Sequence, residues 1–194
     1  DGYLQLTGAD SSFNDQSAFR SVVKNDIDSI VVEFSRESER YVYTLARKTA
    51  TLEIDMPPGT ELQLASGRHF IPEKLPGFGR IYSKVKAVQV SAAGQLAYDE
   101  AGQGTLEVQA DASNWTGIRN RYYTLLLQPQ SSMQARITMD AADQPVMRFS
   151  AANDNAATRF KLYAGPVEWH ALRNVAPELS EMLFAALWDF LRWL

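Results

Sequence analysis

Few side chains in this sequence have the types and spacing that chemistry needs. The two histidines, His69 and His170, stand far apart, one in the Pro- and Gly-rich stretch GRHFIPEKLPGFGRIY and the other in VEWHALRN. A sugar-epimerase-like site would use such imidazoles with a carboxylate as acid and base. A loop and a helix beyond the last strand do not predict convergence in one cleft, so both histidines read as surface or capping residues. Asp99 with Glu100, and Glu37 with Glu39, are neighbouring carboxylates, but adjacent charges at turns are normally solvated. NDN at 153–155 offers oxygen atoms of the kind calcium takes, and a hairpin turn explains it more simply. GFG at 77–79 is too short for a phosphate loop and lacks a strand-to-helix setting. The chain has no cysteine, which excludes disulfides, thiolate metal sites and a cysteine nucleophile. No catalytic residue, cofactor or metal is therefore predicted.

Other residues point to surfaces rather than reactions. Arg119 and Arg121 flank Asn120 on an apparently alternating strand and are predicted to share a face. Such a pair suits lipid phosphates or an acidic partner, or is simply solvated. Trp115, Tyr122 and Tyr123 read as core or cleft lining. The formal net charge is −4 with no basic block, which argues against nucleic acid, since tracking phosphates needs concentrated Lys and Arg. The start, DGYLQLTGAD, has neither the basic nor the apolar region of a signal peptide, so the chain reads as a mature or excised product.

These residues must be positioned by strands. TLEIDM alternates cleanly, with Leu52, Ile54 and Met56 on one side and Thr51, Glu53 and Asp55 on the other. The same beat recurs in Leu62 and Leu64, Leu106 and Val108, Ile137 and Met139, Met147 and Phe149, and Phe160 and Leu162. DSIVVEF and RYVYTLA add β-branched and aromatic runs. The stretches MPPGTE, SAAGQ, EAGQG, AADQP and ANDNAA between them carry the Gly, Pro, Asn and Asp of reversals. A mainly β fold follows: antiparallel sheets packed face to face over residues 28–165. Residues 9–26 are polar and weakly patterned, and predict a loop or short helix; residues 67–82 predict a long loop.

The pattern changes after Pro166. VEWHALRN suits a short helix, and Pro177 sits where the first turn of another tolerates proline. Leu179, Met182, Leu183, Ala186, Leu187, Phe190, Leu191 and Leu194 then follow helical spacing. Burying one Leu or Phe is worth about 1.5–3 kcal/mol, so this stripe needs a cover, either the sandwich or a lipid interface. Phe184, Trp188 and Trp193 lie off the stripe and widen the apolar surface, and tryptophan favours the boundary between wet and dry. Leu187, Trp188, Phe190, Leu191, Arg192, Trp193 and Leu194 are thus the predicted membrane-interface set. The domain reading is a β-sandwich at 1–166 and a C-terminal helical segment at 167–194 leading toward a membrane. No stretch of 18 or more uninterrupted apolar residues occurs, so none spans a bilayer alone.

NWTGIRNRYYTLLLQP (114–129), FKLYAGPVEWHALRNVAPELSEML and LWDFLRWL together resemble the end of the periplasmic domain of YidC-type membrane protein insertases. The matching residues are Trp115, Arg121, Tyr122, Tyr123 and Pro129, then Tyr163, Gly165 and Pro166, then Leu187, Trp188, Phe190 and Trp193. The resemblance covers about 80 residues; the first 110 match only as alternating strands. It implies an antiparallel β-supersandwich of the galactose-mutarotase-like kind with C-terminal α-helices, in the periplasm and joined to an inner-membrane core. It implies a non-catalytic scaffold for membrane protein insertion, with inner-membrane lipid, Sec translocon components and nascent membrane proteins as partners. The alternative is a free-standing sandwich that binds carbohydrate or lipid, or acts on a sugar as an epimerase does.

Overall fold

The computed structural model describes residues 3–7, 20–36, 39–66, 85–91, 96–100, 105–139, 145–151 and 158–183. With strands numbered in chain order, one sheet has the spatial order β1 (Tyr3–Thr7), β6 (Glu61–Ala65), β13 (Pro145–Ala151), β12 (Met133–Met139) and β9 (Thr105–Ala110). Among the described residues the other sheet has nine strands: β2 (Arg20–Asn25), β3 (Ser29–Arg36), β4 (Glu39–Ala46), β5 (Thr51–Met56), β14 (Thr158–Pro166), β11 (Tyr123–Pro129), β10 (Asn114–Arg119), β7 (Lys86–Ser91) and β8 (Leu96–Glu100). Every neighbouring pair is antiparallel. The chain is therefore the antiparallel β-sandwich that the alternation predicts.

Period two fixes which side chains meet between the sheets. Register places Met56, Ile54 and Leu52 of β5 beside Thr158, Phe160 and Leu162 of β14. Leu127 and Ile118 continue the same face across β11 and β10. Opposite them lie Leu62, Leu64, Ile137, Met147 and Phe149 of the smaller sheet, all buried in one core with Ile54, Ile118, Leu127 and Phe160. Phe149 and Phe160 bridge the sheets edge to face at 6.0 Å, a favoured arrangement for aromatic rings. The far side of the smaller sheet is polar, with Arg136 paired to the directly opposed Glu107 and Arg148 donating to Gln63.

Nine strands cannot be covered by five. At one end β2 is exposed along its whole length and β3 is only half-buried. That explains why residues 20–25 form a strand where the sequence predicted loop or short helix. An edge strand with no buried face shows no alternation of apolar and polar residues, so its period is invisible.

At the other end a third layer covers the outer face. The helix α1 (Trp169–Val175) and a 3-10 helix at Pro177–Glu181 follow β14. Pro177 occupies the first helical turn as predicted, and the turn is 3-10 rather than α. Leu172, Val175, Leu179 and Met182 pack on Val88, Val90, Trp115, Leu126 and Tyr163, a second core distinct from the one between the sheets. The described part of the terminal stripe is thus covered by the sandwich. Leu187, Trp188, Phe190, Leu191, Arg192, Trp193 and Leu194 lie outside the described residues. Among the described residues no helix is long and apolar enough to cross a membrane.

Candidate functional site

Motif residues from two separate stretches, Arg121, Tyr122 and Tyr123 and then Tyr163, Gly165 and Pro166, meet at the corner where β10, β11, β14 and α1 come together. Asn120, nearly fully buried, shapes the turn between β10 and β11. Its Oδ1 accepts from the backbone N–H groups of Tyr122 (2.8 Å) and Tyr123 (2.7 Å), while its own N–H donates to the Tyr123 carbonyl at 2.9 Å. Asparagine suits this role because its short amide mimics a backbone turn. Thr124 closes the hairpin by donating to the Ile118 carbonyl at 2.9 Å. Gly117 lies so close to β11 that an added Cβ would stand 2.0 Å from the Leu125 carbonyl oxygen.

β14 joins this hairpin with Tyr123 opposite Pro166 and Thr124 opposite Gly165. Val167 N–H then donates to the Tyr122 carbonyl at 2.7 Å, which carries the pairing past the strand end. Tyr163, buried on the outer face, folds over Gly165 and donates from its hydroxyl to the Pro166 carbonyl at 3.0 Å. Burial, and secondarily the charge of Glu168, hold its phenol above the ordinary tyrosine range. Arg119 reaches outward to donate from Nη1 to the Met182 carbonyl at 2.7 Å, which pins the end of the helical segment to the sheet.

Trp115 is the largest side chain under the helices, 1% exposed, with the Lys161 ammonium 5.8 Å from its ring. Its Nε1 is buried without a hydrogen-bond partner among the described residues. Tyr122 and Tyr123 are not core or cleft lining as predicted: they are 58% and 54% exposed. The Asn120 turn ends the alternation at Arg119, so Arg121 and Tyr122 leave the pleat, and they are exposed together with Tyr123 at the very start of β11. For the same reason Arg119 and Arg121 do not share a strand face. Arg121 lies 5.5 Å over the Tyr122 ring, while Arg119 turns to the helices.

The remaining chemical candidates stay dispersed. His170 is exposed in the first turn of α1 and stacks edge-on with Trp169. His69, Glu37 and residues 153–155 lie outside the described residues. Asp99 and Glu100 sit at the end of β8 opposite Ala87 and Lys86, on a strand rather than in a turn. Glu39 pairs with Arg36 at 3.2 Å. Among the described residues no three His, Asp or Glu side chains gather as metal ligands would.

One concavity escapes sequence reasoning altogether. An open groove of about 560 Å³ is lined by Arg40, Asp55, Pro57, Gln130, Thr158 and Arg159, among others. Its cations are engaged: Arg159 pairs with Asp55 across β5 and β14. Arg40 grips both oxygens of Glu33 at 3.0 Å, and this hydrogen bonding holds the Glu33 carboxyl below its ordinary range. Only strand register brings residues 40, 55, 130 and 159 together, so no local spacing could reveal them.

No protein-family model matches the chain, and no curated protein matches it. Among solved structures, it is similar to an alpha-galactosidase from Lactobacillus brevis, with a TM-score of 0.45 and 11% identity. That match covers 91% of this chain and 28% of the galactosidase, so this chain spans under a third of its length.

Proposed function

We propose that this chain is the periplasmic β domain of a YidC-type membrane protein insertase. In this reading it catalyses no covalent step and serves as a scaffold between an inner-membrane core and either translocon components or emerging chains. The observation that carries the proposal is the meeting of the motif residues. Tyr122 and Tyr123 from one stretch join Tyr163, Gly165 and Pro166 from another in one hydrogen-bonded corner, and Trp115 packs with Tyr163 beneath the helical segment that follows. Residues that resemble a family pattern in order, and also interlock physically, are more specific together than any of them alone. A scaffold needs such a rigid joint where its sheet hands over to the segment that follows.

The gene supplies the test. Its reading frame past Leu194 is expected to encode hydrophobic spans of about 20 residues, and the full-length protein is expected to restore growth to a bacterium depleted of its own insertase. A frame without such spans, or a stably expressed full-length protein that gives no rescue, overturns the reading.

The groove beside Arg40 and Arg159 supports a second reading, a sugar-binding sandwich, because paired guanidinium and carboxylate groups match hydroxyl-rich ligands. No aromatic platform lines that groove among the described residues, which places this reading second. A glycan array and a mutarotation assay decide it, and absence of both binding and turnover removes it.

A further inference from the structure

The solvent side of the motif corner carries a patch that its structural role leaves unused. Tyr122, Tyr123 and Trp169 are large aromatics 58%, 54% and 36% exposed. The Tyr122 carbonyl binds Val167 N–H two residues before Trp169, which brings the hairpin tip and the start of α1 side by side at one end of the larger sheet. Two guanidinium groups lie on these rings: Arg121 is 5.5 Å from the Tyr122 centroid and Arg173 is 4.6 Å from the Trp169 centroid. Neither forms an ion pair among the described residues. Within residues 119–123 and 166–173 the sole carboxylate is Glu168, against Arg119, Arg121 and Arg173. In a chain of net charge −4, this is a local cationic excess set among half-wet aromatic rings.

We infer that this corner docks on an anionic lipid surface, with the Tyr122, Tyr123 and Trp169 rings entering the headgroup zone and Arg121 and Arg173 meeting lipid phosphates. The two halves of the patch match the two halves of that environment. Tyrosine and tryptophan have an apolar body and a polar tip, which suits a layer that is dry on one side and wet on the other. Arginine engages phosphate through a planar fork of donors. Stacking over a ring leaves that fork unneutralised, so contact with lipid breaks no existing ion pair. The binding is shallow and reversible, set by a few rings and two charges, and it holds whether or not the insertase reading does.

The test is flotation of the full chain with vesicles of phosphatidylcholine alone or with 30 mol% phosphatidylglycerol, at low and high salt. Each cation near an anionic surface contributes roughly fivefold to partitioning. The double variant Arg121→Gln/Arg173→Gln, which keeps residues 184–194 intact, is therefore expected to lose affinity for the anionic vesicles by on the order of 20-fold. Tyr122→Ser/Tyr123→Ser is expected to weaken binding at both salt concentrations. Hydrogen exchange of the unmodified chain supplies a measurement free of folding effects, with slowing at 121–123 and 167–173 when anionic vesicles are added. Three results overturn the inference: no binding of the unmodified chain, equal binding of the arginine variant, or protection confined to residues 184–194. Failure here leaves the growth-rescue result untouched, so the two readings are separable.

Discussion

The Tyr163 ring lies directly over Gly165, so close that a Cβ built on the glycine would come within 2.5 Å of the phenolic oxygen. The same hydroxyl is hydrogen-bonded to the Pro166 carbonyl. One buried side chain thus reads two residues of the turn that ends the last strand: it excludes a side chain at one and satisfies the carbonyl of the other. The ring is packed in the second core, so any movement that admits a side chain at 165 displaces its buried neighbours.

Gly165→Ala is therefore expected to destabilise the fold by about 1–3 kcal/mol, the usual range for overpacking. Urea unfolding measures it. Adding Gly165→Ala to a Tyr163→Ala background should cost far less than in the unmodified chain, because the clash partner is gone. Additive effects in that double variant would refute the contact.

Alkaline pH should expose the same residue. Burial raises the phenol of Tyr163, and also those of Tyr41 and Tyr43. The unfolded chain then releases these protons first, near the ordinary tyrosine value of about 10. Stability is fully present below that pH and falls as pH climbs toward the raised folded values. Melting temperatures should drop above about pH 10, and Tyr163→Phe should show a shallower drop from a lower starting point.

Gly117→Ala should be more severe than Gly165→Ala, because the group it strikes is the Leu125 carbonyl on a paired strand rather than a side chain. A loss of about 3 kcal/mol, at the upper end for overpacking, is expected. Circular dichroism and urea titration report it, and a wild-type midpoint would contradict the close approach.

At Trp115, truncation to alanine should cost about 3–5 kcal/mol, as large buried aromatics do. Trp115→Phe should cost much less. It surrenders contact area, but it also removes the buried N–H that lacks a partner, a penalty of about 1–3 kcal/mol in the native protein. Thermal melts of the two variants side by side give the comparison.

Arg119→Met keeps the aliphatic stem and deletes the donor to the Met182 carbonyl. Hydrogen exchange should quicken in residues 177–183 while the strands stay protected. Uniform loosening of the whole sandwich would assign Arg119 to general stability instead.

Much of the sandwich is legible in the sequence because strands such as β5 and β6 bury mainly one face. Leu52, Ile54 and Met56, Leu62 and Leu64, and Phe160 and Leu162 alternate in the chain because they alternate between core and exterior. Edge strand β2 escapes that logic, since neither face is buried. The helices after Pro166 were legible from spacing and from Pro177, and the cover for Leu179 and Met182 became visible only once packed.

The corner divides along the same line. Asn, Gly and Pro at 117, 120, 165 and 166 announce turns and close approaches through their own backbone chemistry, and the chain carried that information locally. Which aromatic residues are buried was not local. Trp115 and Tyr163 fall under the helices, while Tyr122 and Tyr123 face solvent, because one hydrogen-bonded asparagine interrupts the pleat between them. Alternation, breakers and apolar content are properties of neighbours along the chain. The pairing of Arg159 with Asp55 and the meeting of two distant stretches at Val167 and Tyr122 depend on sheet register, which only long-range packing sets.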